Sequence, residues 1–458
     1  MPLKNEIYAA VLLIGGPDKG TRFRPLSLSL PKPLFPVAGK AILMHIIDQI
    51  IETQKFTDII LVGSYDNDDK LTRFLLKCSK LYKNIEFKYL KETTITGTGA
   101  ALLLAKHVFQ KTENVLVLNG DICGNFLIGR FIDESMKNSN QDCIASLLTK
   151  TGFEWSVTFH NTPPYFIIVG CHLSNNLNLI YCFLTKILKV ADYQSQDFGC
   201  VVYQNDSNTI EHFVEKPSTF VSCEISTGCY VFSSGIVQIL EDVMNKQKKE
   251  IEKTHIDCTK LRISLENNIF PRLVEQGLIK GVHTDEFWIP MKDPSSVLYG
   301  NAYYLSKIAD RDYNHLNNVI ILENVYIHDS VKIGNFSKIG PNVSIDENVT
   351  IGKGVRIKNS IILENVDIKN YSLISNSIIG WNCKIHEHCR IEGTESKVNP
   401  NVKDSIISIS CLFTDGSLNP CTTVLGNSVS IIDGKMIKDS IVLPYKNLTR
   451  NHRHEIIL

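Results

Sequence analysis

Residues 325–357 read VYIHDSVKIGNFSKIGPNVSIDENVTIGKGVRI. Within them Ile327, Ile333, Ile339, Ile345, Ile351 and Ile357 recur every six positions without a slip, and Val325, Val331, Val343, Val349 and Val355 each stand two positions before an isoleucine. Gly334, Gly340 and Gly352 directly follow their isoleucines. Ile362, Ile368 and Ile374, and after a shift Ile379, Ile385 and Ile391, continue the step. Antiparallel strands would give period two with no six-residue phase lock. One inward aliphatic side chain per six-residue unit is the pattern of a parallel β-helix. The stretch therefore predicts a left-handed parallel β-helix of hexapeptide repeats over 319–458. The repeat lapses over 393–423, which contains NPN and TDG turn signals, and resumes in VLGNSVSI and SIVLP. An excursion of that length is either a solvated loop or a partner contact.

The N-terminal part follows a different rhythm. AAVLLIGG (9–16), TDIILVGS (57–64), IEFKYL (85–90) and ENVLVLNGD (113–121) are short β-rich runs ending in turn residues. Between them AILMHIIDQIIETQ (41–54) and KLTRFLLKCSKLY (70–82) space their apolar residues as helices do. Over the first 150 residues the alternation predicts a parallel, doubly wound sheet, and the expected organisation is an α/β, Rossmann-like domain over 1–300 joined by a linker 301–318 to the β-helix. Ligands of such sheets bind beyond the carboxyl ends of the strands, where the glycines and NGD stand.

Composition narrows the function. The 458 residues are 43% hydrophobic and 21% charged, and Lys plus Arg equals Asp plus Glu at 48 each. No bulk field then favours nucleic acid or an acidic membrane, so any phosphate binding is local. The apolar start is too short to span a bilayer and runs straight into a glycine turn, so it reads as a first strand in a cytoplasmic protein. The 13 cysteines form no CxxC pair and read as free, mostly buried thiols. From Trp155 to Thr185 there is no Asp, Glu, Lys or Arg, yet Pro163, Pro164 and Gly170 break the run, so this part reads as an insertion, 151–189.

The stretch GGPDKGTRFRPLSLSLPKPL (15–34) carries the chemistry. Glycines allow backbone N–H groups to approach a phosphate, and Arg22, Arg24 and Lys32 supply positive charge. The string resembles the signature of sugar-1-phosphate nucleotidyltransferases. GTRFRPLS with PKPLFPVAG, and Asp18 and Lys19 extending the loop, is most similar to the alpha-type GDP-mannose pyrophosphorylases. The resemblance covers almost the whole chain except 151–189. It implies a nucleotide site of Gly15, Gly16, Gly20, Thr21, Arg22 and Lys32, with Asp121 of LNGD as a Mg²⁺ ligand. TGTGAA, with Gly97 and Thr98, matches the turn near the base. VEKPS, with Glu215 and Lys216, matches the sugar-phosphate contact, and STGCYVF, with Gly228, the turn beneath the sugar. Glu92 offers a carboxylate that could accept from the N1–H and amine of guanine, a paired donor edge that uracil, thymine and adenine lack.

One departure decides between two readings. The family's second Mg²⁺-binding aspartate lies in a WxDxG-like sequence that reads WIPMK here, with Pro290 in place of the aspartate and Lys292 in place of the glycine. Loss of one metal ligand removes about 4 kcal/mol of transition-state stabilisation, roughly a thousandfold in rate. Asp293 is expected not to reach the same point, and Ser226 replaces an asparagine before the TG turn. The resemblance then implies a regulatory chain that binds GDP-mannose, pairs with a catalytic beta-type subunit through homo- and hetero-oligomeric contacts of the β-helix, and mediates feedback inhibition. The alternative is an active mannose-1-phosphate guanylyltransferase in which Arg22 and Lys32 are catalytic and Asp121 alone organises Mg²⁺. An acyltransferase on the same β-helix would leave the phosphate loop without a use.

Overall fold

Tyr8–Gly15 forms the first strand, β1, and Tyr8 to Leu12 are all at most 4% exposed, as a strand covered on both faces requires. The structure is a computed structural model describing residues 8–18, 20–66, 69–92, 97–137, 143–151, 198–204, 207–254, 261–308, 313, 318–394, 413–414, 417–418 and 422–458. The chain forms two compact units. One comprises Met1–Thr93, Leu118–Ile128 and Glu286–Leu458, and the other Thr94–Val117 and Gly129–Asp285. The division does not follow chain order, and the β-helix belongs to the same unit as the phosphate loop.

In the first unit β1 is followed by a hairpin of β2 (Pro36–Val37) and β3 (Lys40–Ala41), helix α1 (Ile42–Glu52), β4 (Phe56–Gly63), α2 (Asp69–Leu81) and β5 (Glu86–Lys91). β1 pairs with β4 and β4 with β5, both parallel, as the alternation predicts. Ile42, Leu43, Ile46, Ile47 and Ile50 make one fully buried face of α1.

The second unit opens with α3 (Thr98–Leu104) and β6 (Asn114–Asn119), whose end enters the stretch Leu118–Ile128 of the first unit with β7 (Ile122–Gly124). It continues with α4 (Ile128–Lys137), β8 (Ala145–Thr151), β9 (Gly199–Tyr203), β10 (Ile210–Glu215), β11 (Glu224–Ser233), α5 (Ile236–Thr254), α6 (Phe270–Glu275) and β12 (Ile279–His283). Here, beyond the first 150 residues from which the parallel sheet is expected, the sheet is mixed. β9 with β10 and β8 with β11 run antiparallel, and only β12 runs parallel to β8. The stretch between β9 and β10 is too short for a crossover helix, so a hairpin is the only connection it allows. The expected insertion 151–189 lies, beyond residue 151, outside the described residues.

The chain returns to the first unit with β13 (Trp288–Pro290) and α7 (Pro294–Lys307). Residues 301–307, expected within a linker, are the second half of α7. Asn301, Ala302, Tyr303, Tyr304 and Leu305 are at most 9% exposed because the helix has apolar neighbours along its length.

The β-helix follows its isoleucines. Each step of six residues, or of five from Ile357 to Ile362 and from Ile374 to Ile379, carries the chain to the next of three parallel sheets, so that Ile327, Ile345, Ile362 and Ile379 stack in one, Ile333, Ile351, Ile368 and Ile385 in a second, and Ile339, Ile357, Ile374 and Ile391 in the third. These side chains form the internal core. The lapse of the repeat leaves the register intact, since Ile379 pairs with Leu425, Ile385 with Ile431 and Ile391 with Ile437. Most of 393–423 lies outside the described residues, but both roots are held. The Thr394 N–H and hydroxyl bond to Asp439, and the Thr422 hydroxyl lies 2.9 Å from that of Ser295 on α7. Among the described residues no helix is long and apolar enough to cross a membrane.

One corner of the solenoid carries an asparagine ladder. Asn342, Asn359 and Asn376 have φ of 58°, 45° and 47°, a left-handed conformation that asparagine tolerates best after glycine. Asn324 Nδ2 donates to Asn342 Oδ1 at 3.2 Å, Asn342 to Asn359 at 3.1 Å, and Asn359 to Asn376 at 3.1 Å. Asn359→Gly should cost about 1 kcal/mol, chiefly through the lost ladder bonds. Asn359→Ala should cost roughly 2 kcal/mol, since it adds left-handed strain. Urea unfolding of both variants checks the order, and equal costs would show that the backbone conformation is not the constraint.

Candidate functional site

The phosphate loop leaves β1 through a constrained turn. Gly15 has φ +70° and its carbonyl accepts from Ser64 N–H at 2.8 Å. A side chain at Gly16 would stand 1.7 Å from Ser64 Oγ and 3.0 Å from its Cβ, so any larger residue would have to turn the Ser64 hydroxyl away. Gly20, with φ +83°, starts a series of 3₁₀ turns at Thr21–Phe23, Leu26–Leu28 and Lys32–Leu34. Phe23, Leu26 and Phe35 anchor these turns at no more than 1% exposure, which leaves Thr21 and Arg22 at the surface. The arrangement suits a loop that presents charge from a fixed base. Glu92 follows β5, is 6% exposed, and its N–H donates to the Gly63 carbonyl at 2.7 Å.

Asp121 is held from both sides. Gly120 N–H donates to Leu13 O at 2.8 Å, and the Asp121 carbonyl accepts from Met291 N–H at 2.8 Å. Its carboxylate accepts from Lys32 Nζ at 2.7 Å, with side-chain exposures of 8% for the lysine and 36% for the aspartate. Burial works to raise the Asp121 pKa, but the Lys32 ammonium, and more weakly that of Lys292, outweigh it and hold the carboxyl below its ordinary value.

The residues present fit a Mg²⁺ ion poorly. Mg²⁺ takes hard oxygen ligands, with one or two carboxylates beside substrate phosphates. Here the one carboxylate at the strand end is already paired. Pro290 lies on β13 opposite Ile122 of β7 and offers no ligand. Asp293 is committed elsewhere, because its Oδ1 accepts from Ser296 N–H at 2.9 Å in a capping box that starts α7. Among the described residues no group of three or more His, Cys, Asp or Glu is placed to hold a metal.

In the second unit Gly97 has φ +119°, and a side chain there would stand 2.2 Å from the Ile263 carbonyl oxygen. Thr98 Oγ1 donates to Glu266 at 2.8 Å and accepts from Leu265 N–H at 2.8 Å, so this glycine turn is shaped by the segment 263–266. Gly228, at φ +80°, sits in the bulge where β11 loses register with β8 between Ser226 and Tyr230. Glu215 ends β10, and Lys216 adopts φ +47° with its N–H donating to Phe198 O at 3.0 Å. A lysine in left-handed conformation is strained by about 1 kcal/mol, and such strain gathers where a side chain is being aimed. The expected residues thus fall in two groups. Gly15, Gly16, Gly20, Thr21, Arg22, Lys32, Glu92 and Asp121 belong to the first unit, and Gly97, Thr98, Glu215, Lys216 and Gly228 to the second.

Sequence reasoning missed Ser64, the neighbour that crowds Gly16, and Asn301. Asn301 is wholly buried, and its Oδ1 accepts from Ala38 N–H at 2.8 Å and from the Ser344 hydroxyl at 2.9 Å, tying the β2–β3 hairpin to the β-helix. No local spacing signals either role.

Fold and loop together define a nucleotidyl transferase domain with a β-helix. A nucleotidyl transferase family model matches residues 9–152 and 182–267, and one described as the GMPPB C-terminal domain matches 321–457. Among curated proteins, the mannose-1-phosphate guanylyltransferase regulatory subunit alpha-A of Danio rerio is 36% identical and the regulatory subunit alpha of Homo sapiens 35% identical, each match covering 98% of this chain and 99% of the relative. The mannose-1-phosphate guanyltransferase alpha-A of Xenopus laevis is 35% identical over the same shares. The chain belongs to this family of mannose-1-phosphate guanylyltransferase regulatory subunits alpha.

The ion pair predicts an acid sensitivity. Because the Asp121 pKa is depressed on folding, its contribution is complete above the unfolded value of about 4 and is lost as pH falls through the lower folded value. Asp121→Asn should remove that dependence. It should also destabilise by about 2 kcal/mol, less than a fully buried pair, because Asp121 is partly solvated. Denaturation of wild type and variant between pH 3 and 7 measures both.

Proposed function

We propose that this chain binds GDP-mannose as the regulatory member of a GDP-mannose pyrophosphorylase assembly, and that occupancy of its site lowers the activity of a catalytic partner. The observation that supports this reading is a glycine-bearing, basic loop in the same unit as an expected metal position without its second carboxylate. Gly15, Gly16, Gly20, Thr21, Arg22 and Lys32 form a glycine-bearing, basic loop, while Pro290 of β13 pairs with Ile122 of β7 and Asp293 caps α7. Transfer of a nucleotidyl group needs the charge building on the phosphoryl oxygens to be met in the transition state. Binding a finished sugar nucleotide does not.

In this reading the Glu92 carboxylate reads the guanine edge, and the phosphate loop with Lys32 takes the diphosphate. The resemblance assigns Gly97 and Thr98 to the base, Glu215 and Lys216 to the sugar phosphate, and Gly228 to the sugar. The β-helix contacts a beta-type catalytic subunit and further copies of the chain. The names of the relatives support a regulatory role, and the reading takes 151–189 as an insertion, in keeping with a family match interrupted between 152 and 182.

Feedback is then a linkage, so GDP-mannose should weaken the partner's activity only through a ligand-competent alpha chain. Lys216→Gly relieves backbone strain and removes the ammonium, so it should be slightly more stable yet bind GDP-mannose about tenfold more weakly. Reconstituted with the catalytic subunit, it should shift the GDP-mannose inhibition curve by the same factor. An unshifted curve would place the inhibitory site elsewhere.

A further inference from the structure

The glycine turn of the second unit is closed by a carboxylate. Glu266 lies on a π-helical turn, Leu265–Ile269, that runs straight into α6. Such turns are rare and gather at functional positions. Here the Ser264 hydroxyl accepts from Asn267 N–H at 3.3 Å, and Ser264 N–H donates to Asn268 Oδ1 at 2.8 Å, so the turn is held by its own polar groups. The same segment is the wall on which the glycine turn rests. Gly99 N–H donates to the Ile263 carbonyl at 3.0 Å, the oxygen that leaves no room for a side chain at Gly97. All of these residues belong to one unit.

Between the two stands the Thr98 hydroxyl, whose hydrogen-bonding capacity can be counted. A hydroxyl has one proton to give and two lone pairs with which to receive. Thr98 Oγ1 gives its proton to Glu266 Oε2 at 2.8 Å and receives Leu265 N–H at 2.8 Å. One lone pair is left over, and no proton. Ser264 Oγ donates to the same Oε2 at 2.5 Å, so a single carboxylate oxygen serves both hydroxyls. Gly97, Gly99 and Ala100 are buried while Thr98 is half-buried, and of these four residues the threonine is the one the turn leaves partly exposed.

We propose that Glu266 is a specificity-determining positioning residue: by taking the Thr98 proton it makes that hydroxyl a hydrogen-bond acceptor only, and so selects a base edge that donates. The inference rests on the GDP-mannose reading above, which assigns Gly97 and Thr98 to the base, and deepens it. At ring positions 1 and 2 guanine donates, through N1–H and the exocyclic amine, whereas adenine has a bare acceptor nitrogen and a C–H. An acceptor-only hydroxyl satisfies the first edge and faces the second lone pair to lone pair, an unpaired contact of the kind by which polar sites reject analogues. A threonine without the carboxylate would not discriminate, because rotation about one bond turns the same hydroxyl into a donor. Glu266 thus acts on selectivity through Thr98, without touching the ligand.

The test is calorimetric titration of the full chain with GDP-mannose and with ADP-mannose, on wild type and on three variants whose folding is checked by circular dichroism. Glu266→Ala should weaken GDP-mannose about tenfold, the scale of one hydrogen bond, and leave ADP-mannose no weaker, so the preference for guanine falls by the same factor. Glu266→Gln should keep the preference within about twofold, since both hydroxyls reach one oxygen and an amide oxygen can replace it. Thr98→Val, equal in shape but without the hydroxyl, should reproduce the loss for GDP-mannose alone and carries the test if Glu266→Ala does not fold. Equal weakening of both sugar nucleotides, or an unchanged preference, in Glu266→Ala and Thr98→Val would mean that the carboxylate only braces the turn. Either result would overturn the inference while leaving GDP-mannose as ligand. A wild-type chain that binds no GDP-mannose would overturn the reading of the site, and the inference with it.

Discussion

A single apolar contact holds the phosphate loop in place: its anchors and the outer face of one β-helix sheet share a core. Phe23, Leu26 and Phe35, which fix the 3₁₀ turns of the loop, are buried together with Ile361, Ile378 and Val424 of the solenoid and with Val297, Tyr303 and Tyr304 of α7. Phe35 meets Phe23 edge-on at 5.2 Å and Trp381 of the β-helix edge-on at 6.1 Å. Asn301 adds the polar tie, with one oxygen accepting from the hairpin backbone and from Ser344. In a close-packed core a displacement of one of these side chains is felt by its neighbours. The element read as an assembly platform and the loop read as a ligand cradle are thus packed as one body.

That packing explains why the boundary between the two parts is hard to see in the chain. Isoleucines spaced by six reported the solenoid because each points inward and stacks on the equivalent residue of the next coil. Ile361 and Ile378 point the other way, one position before inward isoleucines, and no period distinguishes an outward residue facing solvent from one facing α7. The first residues of the expected linker, 301–307, are helical for the same reason, since α7 continues to Lys307 along a surface that exists only after folding.

The glycine turns were legible in the sequence, and the electrostatic partners of the expected residues less so. Gly15, Gly20, Gly97 and Gly228 all have positive φ, and a glycine turn after a strand is a local property that sequence reports. The Lys32–Asp121 pair joins residues 89 positions apart, and Ser64 constrains Gly16 from another strand. Such partners depend on the register of the sheet. The substitution at Pro290 is visible in the sequence, but its setting needs the structure, which shows Asp293 committed as a helix cap and the Asp121 carboxylate paired with Lys32.

The central claim is that this chain kept a nucleotide-binding frame while losing the means to perform nucleotidyl transfer. The most direct measurement is pyrophosphate release by the isolated, folded chain given GTP, mannose 1-phosphate and Mg²⁺. The account predicts a rate at least about a thousandfold below that of an ordinary enzyme, in keeping with the loss of one metal ligand. Turnover in the usual range of about 1–1,000 per second would contradict it, and would mean that Asp121 suffices to organise the metal and that the proline at 290 leaves catalysis intact.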